Sequence, residues 1–229
     1  MFKDRLKTML GGSSTQGTTA TGAKQAKAGS LVQATGPTTT RQSSGLEQFV
    51  STIRSQYALT ILDFAGASQA NISFITNQGH RLSSLDFVRS MELFFGEEHF
   101  YENQEDPVLA QQFLDENLNF PTGKFDGALI WDALQFLSPT LLNAVVERLR
   151  DVLRPNSSML AFFSADEKTV QVPLFHYRIS DEKTLLLTPR GTRKRGQFFN
   201  NRGLEKLFHD QTVKFFLTRD SLREIIVRR

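Results

Sequence analysis

The chain has 229 residues, with no cysteine, one tryptophan, twenty phenylalanines and a formal net charge of +3. This length suits one domain of ordinary size, or one domain with a tail. The lack of cysteine excludes a disulfide-stabilised scaffold, a thiolate zinc site and a cysteine nucleophile. No apolar run approaches the roughly 18 residues that a membrane-spanning helix needs, so we expect no membrane span.

The basic charge is concentrated at the start of the chain. Residues 1–45 carry six basic residues against one acidic residue, whereas residues 46–229 carry 21 basic and 23 acidic residues. From residue 11 to residue 45 the sequence is almost entirely Gly, Ser, Thr, Gln and Ala, which cannot bury enough apolar surface to offset the entropy of ordering. We therefore predict a disordered, low-complexity basic tail over residues 1–45 and one folded domain over residues 46–229.

The first half of that domain alternates helical and extended patterns. Ser44 and Glu47 have the spacing of a capping box and predict the start of a helix. Residues 88–106 predict a helix and a loop without a clear boundary. The other elements predicted here are a buried strand at 60–64, a small-residue turn at 65–68, a helix that stops at Gly79, and a second strand at 81–87 that includes Asp86.

The second half continues the alternation and then changes character. Residues 167–198 have the pattern of an insertion, with strands at 170–174 and 185–187 around a polar turn. The elements predicted around it are a strand at 125–132, a helix from Ser138-Pro139 to Pro155, a strand at 159–163, a helix at 202–208, and a final strand pair at 212–217 and 222–228.

Strands that alternate with helices predict an α/β fold, a doubly wound and mostly parallel Rossmann-like sheet with helices on both faces and a C-terminal antiparallel strand pair. Parallel strands end at one edge of such a sheet, where ligands bind. Asp63, Asp86 and Asp132 follow three of the predicted strands. Three acids at this edge suit a ligand with hydroxyl or amine groups, and the chain has no P-loop motif for a nucleoside triphosphate.

Three segments resemble motifs of the class I S-adenosylmethionine-dependent methyltransferases. Residues 61–68 (ILDFAGAS) resemble the first motif of that family, residues 123–134 (GKFDGALIWDAL) its fourth-strand motif, and residues 153–160 (LRPNSSML) its turn into strand five. The resemblance implies a methyltransferase domain over residues 46–229 that binds S-adenosylmethionine and methylates an acceptor that the sequence does not identify. Glycines usual in the first motif are replaced by Ala65, Ala67 and Gln69.

The resemblance also implies roles for individual residues. Asp63 would hold the turn and the methionine amino group, Asp86 would accept from the ribose hydroxyls, and Asp132 would act as a general base. The alternative, purely structural roles are a helix cap for Asp63, a turn for Asp86 and a hydrogen-bonded acid at a strand end for Asp132. The other cofactor contacts that it implies are Ala65, Gly66 and Ala67 in the turn, Phe87 on the adenine, Asn117 or its neighbours Asp115 and Glu116 near the adenine amine, and Trp131 at the methionine end.

Two other functions remain open at this point. The loss of motif glycines favours a non-catalytic relative that serves as an interaction module. A nicotinamide-dependent oxidoreductase would need Gly-x-Gly-x-x-Gly, where residues 65–70 read Ala-Gly-Ala-Ser-Gln-Ala.

The sequence says less about binding partners, metal sites and cellular compartment. A basic cluster at Arg190, Arg193, Lys194 and Arg195 predicts an exposed loop, with contact to a nucleic-acid phosphate backbone as the alternative. The four histidines have no metal-ligand spacing, so we expect no metal site. A cytoplasmic location is the default expectation without an export signal, and the oligomeric state is open.

Overall fold

The computed structural model describes residues 35–229 with the exception of 167, 217, 219 and 221. The predicted tail therefore lies outside the described residues up to residue 34. The elements in chain order are β1 (Thr39–Gln42), α1 (Ser44–Arg54), β2 (Thr60–Asp63), α2 (Gln69–Asn77), β3 (Arg81–Ser84), α3 (Phe87–Phe95), α4 (Phe100–Glu105), α5 (Pro107–Asn117), β4 (Phe125–Trp131), a 3₁₀ turn (Ala133–Phe136), α6 (Pro139–Val152), β5 (Leu153–Ser164), β6 (Gln171–Ile179), β7 (Thr184–Lys194), α7 (Asn201–Leu207), β8 (Thr212–Phe216) and β9 (Leu222–Arg228).

The main sheet has six strands in the order β3-β2-β4-β5-β9-β8. The first four are parallel, β9 is antiparallel to β5, and β8 is antiparallel to β9. The connections β2–α2–β3 and β4–α6–β5 run outward in opposite directions, so right-handed crossovers place α2 and α6 on opposite faces. The predicted doubly wound sheet with a C-terminal antiparallel pair and helices on both faces is confirmed.

The core lies between this sheet and the helices on its two faces. The middle of β4 is apolar and fully buried, as expected for a central parallel strand. Helix α6 buries one face, and Ser138 caps it as predicted, because its hydroxyl accepts a hydrogen bond from the Leu141 amide. The buried face of α6 consists of Leu141, Leu142, Val145, Val146, Leu149 and Val152.

A second sheet of three antiparallel strands has the order β1-β7-β6. The hairpin of β6 and β7 confirms the strands predicted within 167–198, although both are longer than expected. The third strand, β1, pairs with β7 and lies inside the predicted tail. The predicted C-terminal boundary of the tail, at residue 45, therefore lies too far along the chain. Pairing with a distant strand orders residues whose own composition predicts disorder.

Two element boundaries differ from the predictions because a neighbouring side chain caps the helix. Helix α1 is capped by Ser43, whose hydroxyl accepts from the Leu46 amide at 3.0 Å, and Ser44 is its first residue. Strand β3 ends at Ser84, since Asp86 accepts from the Arg89 amide at 3.1 Å and starts α3 at Phe87.

The segment between β3 and β4 is helical. It contains α3, α4 and α5, and no strand lies among its residues, all of which the structure describes. The predicted helix and loop over 88–106 are thus three short helices that extend to residue 117. No helix in the described part of the chain is both long and apolar enough to cross a membrane.

Candidate functional site

The turn after β2 and the start of α3 lie side by side at the carboxyl edge of the main sheet. Gly66 N donates to Leu85 O at 3.2 Å, and Ala65 forms an isolated antiparallel bridge with Asp86. A cavity of about 260 Å³ opens here, lined by residues 65–68, by Asp86, and by residues of β6 and β7. The structure therefore brings together the turn and one of the predicted acids.

Gly66 is needed in this turn for a local geometric reason. Its φ is +81°, and a Cβ there would lie 3.0 Å from the Cβ of Asp86. A left-handed backbone and such a close approach both favour glycine. The one glycine that remains in this motif is thus explained by the contact between the turn and Asp86.

Asp63 is fully buried, and both of its carboxylate oxygens are bonded within the protein. Oδ1 accepts from the Ala65 amide at 3.0 Å and from Trp131 Nε1 at 2.6 Å, while Oδ2 accepts from Asn71 Nδ2 at 3.0 Å. Burial raises the pKa of Asp63, and these three hydrogen bonds oppose the rise. Asp63 therefore holds the turn and links it to β4 and α2.

Asp86 caps α3 and also forms an ion pair with β7. Its two carboxylate oxygens lie 3.2 and 3.1 Å from Nη1 of Arg190. The Arg190 side chain is 6 % exposed and that of Asp86 is 32 % exposed. The carboxylate expected to accept from a ribose is thus engaged by the protein's own guanidinium.

Phe87 and Asn117 do not reach the cavity beside the turn. The Phe87 ring is fully buried, stacked on Phe64 with a centroid distance of 4.3 Å and packed edge-on to Phe113 at 5.5 Å. Asn117 ends α5, ahead of the amino end of β4, and its Nδ2 donates to Phe113 O at 3.0 Å. Neither side chain is placed where the resemblance implies an adenine contact, because Phe87 belongs to the core and Asn117 lies away from the carboxyl edge.

The β6–β7 hairpin crosses the carboxyl edge and is fastened to it by buried polar contacts. Tyr177 of β6 stacks on the indole of Trp131, with centroids 5.0 Å apart and ring planes 6° apart. The Asn71 side chain donates to Tyr177 O at 3.1 Å and accepts from Ile179 N at 2.8 Å. The sequence analysis missed Asn71 and Tyr177. A buried asparagine on the apolar face of α2 is the only local signal, and it does not identify its partner.

Asp132 follows β4 and lies at the base of a second cavity, of about 340 Å³. Burial raises the pKa of Asp132 to about 7, against the opposing effects of the Arg190 charge and the neighbouring Tyr177 hydroxyl. Tyr177 Oη faces the Asp132 carboxyl, and within the described part of the chain neither it nor Asp132 Oδ2 has another hydrogen-bond partner. A carboxyl group with a pKa near neutrality can exchange a proton with a ligand.

The basic cluster lies in β7 and its end rather than in an exposed loop, so that prediction is wrong. Arg193 Nη2 lies 2.9 Å from Glu92 and 3.0 Å from Glu97, and its guanidinium lies over the Phe100 ring at 4.3 Å. Because Arg190 is also held in an ion pair, two of the four basic side chains are already neutralised within the fold. No group of three or more His, Cys, Asp or Glu side chains in the described segments is placed to hold a metal ion.

The groups at the carboxyl edge are chemically suited to S-adenosylmethionine, but the cavity between them is small. A backbone turn with an adjacent carboxylate suits a ribose and an amino acid moiety. The 260 Å³ cavity, however, is smaller than the roughly 300–1,000 Å³ of pockets that enclose ligands of this kind. Arg190 and Tyr177 take up part of the edge, and both belong to the same hairpin. The β6–β7 hairpin therefore limits the space that is open beside the turn.

Comparison with known proteins gives likenesses of fold. No protein-family model matches the chain, and no curated protein matches it. Among solved structures, it is similar to 1,6-didemethyltoxoflavin-N1-methyltransferase of Burkholderia thailandensis bound to S-adenosylhomocysteine, with 15% identity, 81% of this chain and 78% of that chain covered, and a TM-score of 0.45. It is similar to a glycopeptide N-methyltransferase, also complexed with S-adenosylhomocysteine, at 12% identity, with 81% and 86% covered and a TM-score of 0.46.

A third similar structure is a methyltransferase dependent on S-adenosylmethionine from Aquifex aeolicus, at 12% identity, with 80% and 88% covered and a TM-score of 0.44. All three of these solved structures are methyltransferases. The likeness is one of fold.

Proposed function

We propose that this chain is an S-adenosylmethionine-dependent methyltransferase whose acceptor is not yet identified. The observation that carries the proposal is the meeting of the Ala65–Ser68 turn with Asp86 between β2 and β3. In this sheet the connections from β2 and from β4 run outward in opposite directions, so the switch point lies between β2 and β4, next to this turn, and open α/β sheets bind ligands in the crevice at such a point. Residues 61–68 lie in β2 and the turn after it, residues 123–134 include β4, and residues 153–160 lie in β5.

Each residue at this edge has a task in the proposed function. Asp86 would accept hydrogen bonds from ribose hydroxyls, and the turn, with Asp63 behind it, would face the methionine end of the cofactor. When bound, the cofactor supplies an electrophilic methyl group. Asp132 would take a proton from the acceptor. The β6–β7 hairpin would have to leave Asp86 for the cofactor to enter.

A second candidate is a non-catalytic interaction module with a methyltransferase-like fold. The observation that favours it is the way one hairpin fills the edge: Arg190 binds Asp86, and Tyr177 covers Trp131. In this case the ion pair and the stacked rings are permanent parts of the core. The two candidates differ in whether the hairpin can be displaced by a ligand.

Calorimetric titration of the full chain with S-adenosylmethionine and S-adenosylhomocysteine distinguishes the two candidates. If the proposal is right, the wild type binds both, and Asp86→Ala weakens binding by about 2–4 kcal/mol, or roughly 30- to 1,000-fold, because two charge-assisted hydrogen bonds are lost. Arg190→Gln should strengthen binding, since it frees Asp86. Arg193→Gln is the matched control, because it removes a neighbouring guanidinium that pairs with Glu92 and Glu97 instead.

The same titrations contain the results that overturn the proposal. If neither the wild type nor Arg190→Gln binds either ligand, the interaction module replaces the methyltransferase. Equal binding by the wild type and Asp86→Ala would show that the ribose does not use this carboxylate. Binding of NAD in place of S-adenosylmethionine would support the oxidoreductase alternative.

A further inference from the structure

The 260 Å³ cavity beside the turn carries basic side chains from the β6–β7 hairpin. His176 and Arg178 of β6 line it, together with the turn at residues 65–68. Asp86 lines it as well, but the ion pair with Arg190 neutralises that carboxylate. Among the residues that the structure describes, Arg178 is therefore the charged group at this cavity that has no opposite charge beside it.

Arg178 is held in place by neutral groups. Its Nη2 donates to the hydroxyls of Thr188 at 2.8 Å and of Thr38 at 3.3 Å, and those two hydroxyls bond to each other at 2.7 Å. Hydroxyl groups fix the position of the guanidinium without cancelling its charge. Its Nη1 has no partner in the described part of the chain and, unlike its Nε, is not buried, so it is open to a ligand.

His176 precedes Arg178 by two positions in β6, so both side chains lie on the same face of the strand. Neither ring nitrogen of His176 has a hydrogen-bond partner in the described segments, and neither is buried. Burial lowers the pKa of His176, and the charges of Arg190 and Arg178 lower it further against the opposing charge of Asp86. Because the two cations outweigh the one acid at this ring, the electrostatic potential there favours an anion.

We propose that this cavity binds a small anion of the phosphate class, either inorganic phosphate or a short phosphate monoester. Arg178 Nη1 and the His176 ring would donate to it from β6, and the Ser68 hydroxyl would donate from the turn. Ser68 Oγ accepts from the Asn71 amide at 3.2 Å, which leaves its own hydrogen for a ligand. A tetrahedral phosphate presents oxygens in several directions, and its hydrogen bonds with a guanidinium are strong because both groups are charged.

A phosphate in this position would tie the β6–β7 hairpin to the turn, because its donors come from both segments. The inference goes beyond the proposed function, since phosphate binding requires neither the cofactor nor methyl transfer.

The test is a titration of the full chain with inorganic phosphate and with glycerol 3-phosphate at constant ionic strength, followed by calorimetry and phosphorus NMR. Inorganic phosphate should bind saturably and at least about tenfold more tightly than acetate, which has a single charge and two acceptor oxygens. Tighter binding of glycerol 3-phosphate would assign the site to an ester, and the reverse order would assign it to the free anion.

Variants of the two basic side chains locate the binding. Arg178→Gln should weaken phosphate binding at least about tenfold, and His176→Phe should weaken it by a smaller factor. The matched control is Arg54→Gln, which removes an exposed guanidinium outside this cavity and should change little.

Two results overturn the proposal. The first is a wild type that does not bind phosphate saturably, or that binds phosphate and acetate equally, and this comparison stands even if the Arg178 variant does not fold. The second is an equal loss in Arg178→Gln and Arg54→Gln, because phosphate would then respond to net charge rather than to this cavity.

Arg190→Gln separates this site from the proposed cofactor site. It leaves Asp86 as an unpaired carboxylate at the cavity, so it should weaken phosphate binding while it strengthens cofactor binding. Phosphate binding without cofactor binding would leave this site in place and overturn only the methyltransferase, whereas the reverse result would overturn only the phosphate site.

Discussion

Arg41 ties strand β1 to the main sheet, and replacing it with methionine should strongly destabilise the fold. Its guanidinium bonds to Asp220 and to Glu224, whose side chain is completely buried. Glu224 Oε2 also accepts from the Gly45 amide at 2.6 Å and from the Ser43 hydroxyl at 3.0 Å. A single cluster therefore joins β1, the start of α1 and β9.

The magnitude follows from what Arg41→Met would leave behind. Methionine keeps most of the apolar stem, so the loss of packing is small, but Glu224 keeps two neutral donors and loses its cation. Removing one partner of a buried ion pair costs about 3–5 kcal/mol, because an uncompensated charge stays in the interior. We expect the free energy of unfolding to fall by about that amount.

Urea unfolding followed by the fluorescence of Trp131, the single tryptophan, measures this loss. The control is Arg54→Met, which removes an ion pair with Glu182 in which the two side chains are 53% and 55% exposed. Exposed pairs contribute about 0–1 kcal/mol, so the control should have almost wild-type stability. A loss below about 1 kcal/mol for Arg41→Met, or equal losses in both variants, would refute the reasoning and show that β1 adds little to the fold.

Two further predictions concern the carboxyl edge. The pKa of Asp132 is raised from its ordinary value of 3.8 to about 7, with Arg190 and Tyr177 facing it, so the native state binds a proton that the unfolded state has released. Its contribution to stability is therefore complete below about pH 4 and is lost as the pH rises to about 7, a loss of about 4 kcal/mol at about 1.36 kcal/mol per pH unit. Asp132→Asn should remove this pH dependence of the free energy of unfolding, which urea unfolding at a series of pH values measures. The same pH dependence in the wild type and in the variant would contradict a raised pKa for Asp132. Gly66→Ala should cost more stability than Gly79→Ala, because both glycines have φ near +80° but only Gly66 faces Asp86 within 4 Å. Equal melting temperatures for the two variants would count against that contact.

The elements that could be predicted are those whose signal is local. Strand β4 is a continuous apolar run, and α6 has an N-cap serine, a proline at its first position and a regular apolar face. The end of β3 was misplaced because Asp86 caps α3 rather than ending the strand, and the start of α1 was misplaced because Ser43 and Ser44 are adjacent serines that can each cap a helix. Which one bonds to the helix amides depends on the path of the chain, which local spacing does not contain.

In the candidate site, too, the positions that follow strands could be predicted from local sequence, whereas their distant partners could not. Asp63, Asp86 and Asp132 follow strands, and a parallel sheet brings such positions to one edge whatever their side chains do afterwards. Their partners could not be predicted, since Arg190 is 104 residues from Asp86 along the chain and Tyr177 is 106 residues from Asn71. Phe87 shows the same limit: a phenylalanine after a strand suits an adenine contact or a core position equally, and its packing on Phe64 decided for the core.

By itself, the sequence determined the alternation of strands and helices, because apolar periodicity, caps and turns act over a few residues. Only the tertiary structure decided that residues 39–42 belong to the fold and that one hairpin crosses the carboxyl edge. Both depend on contacts between segments more than 100 residues apart in the sequence, which no local pattern contains. The free energy of such contacts depends on burial, and burial is a property of the assembled fold rather than of any stretch of sequence.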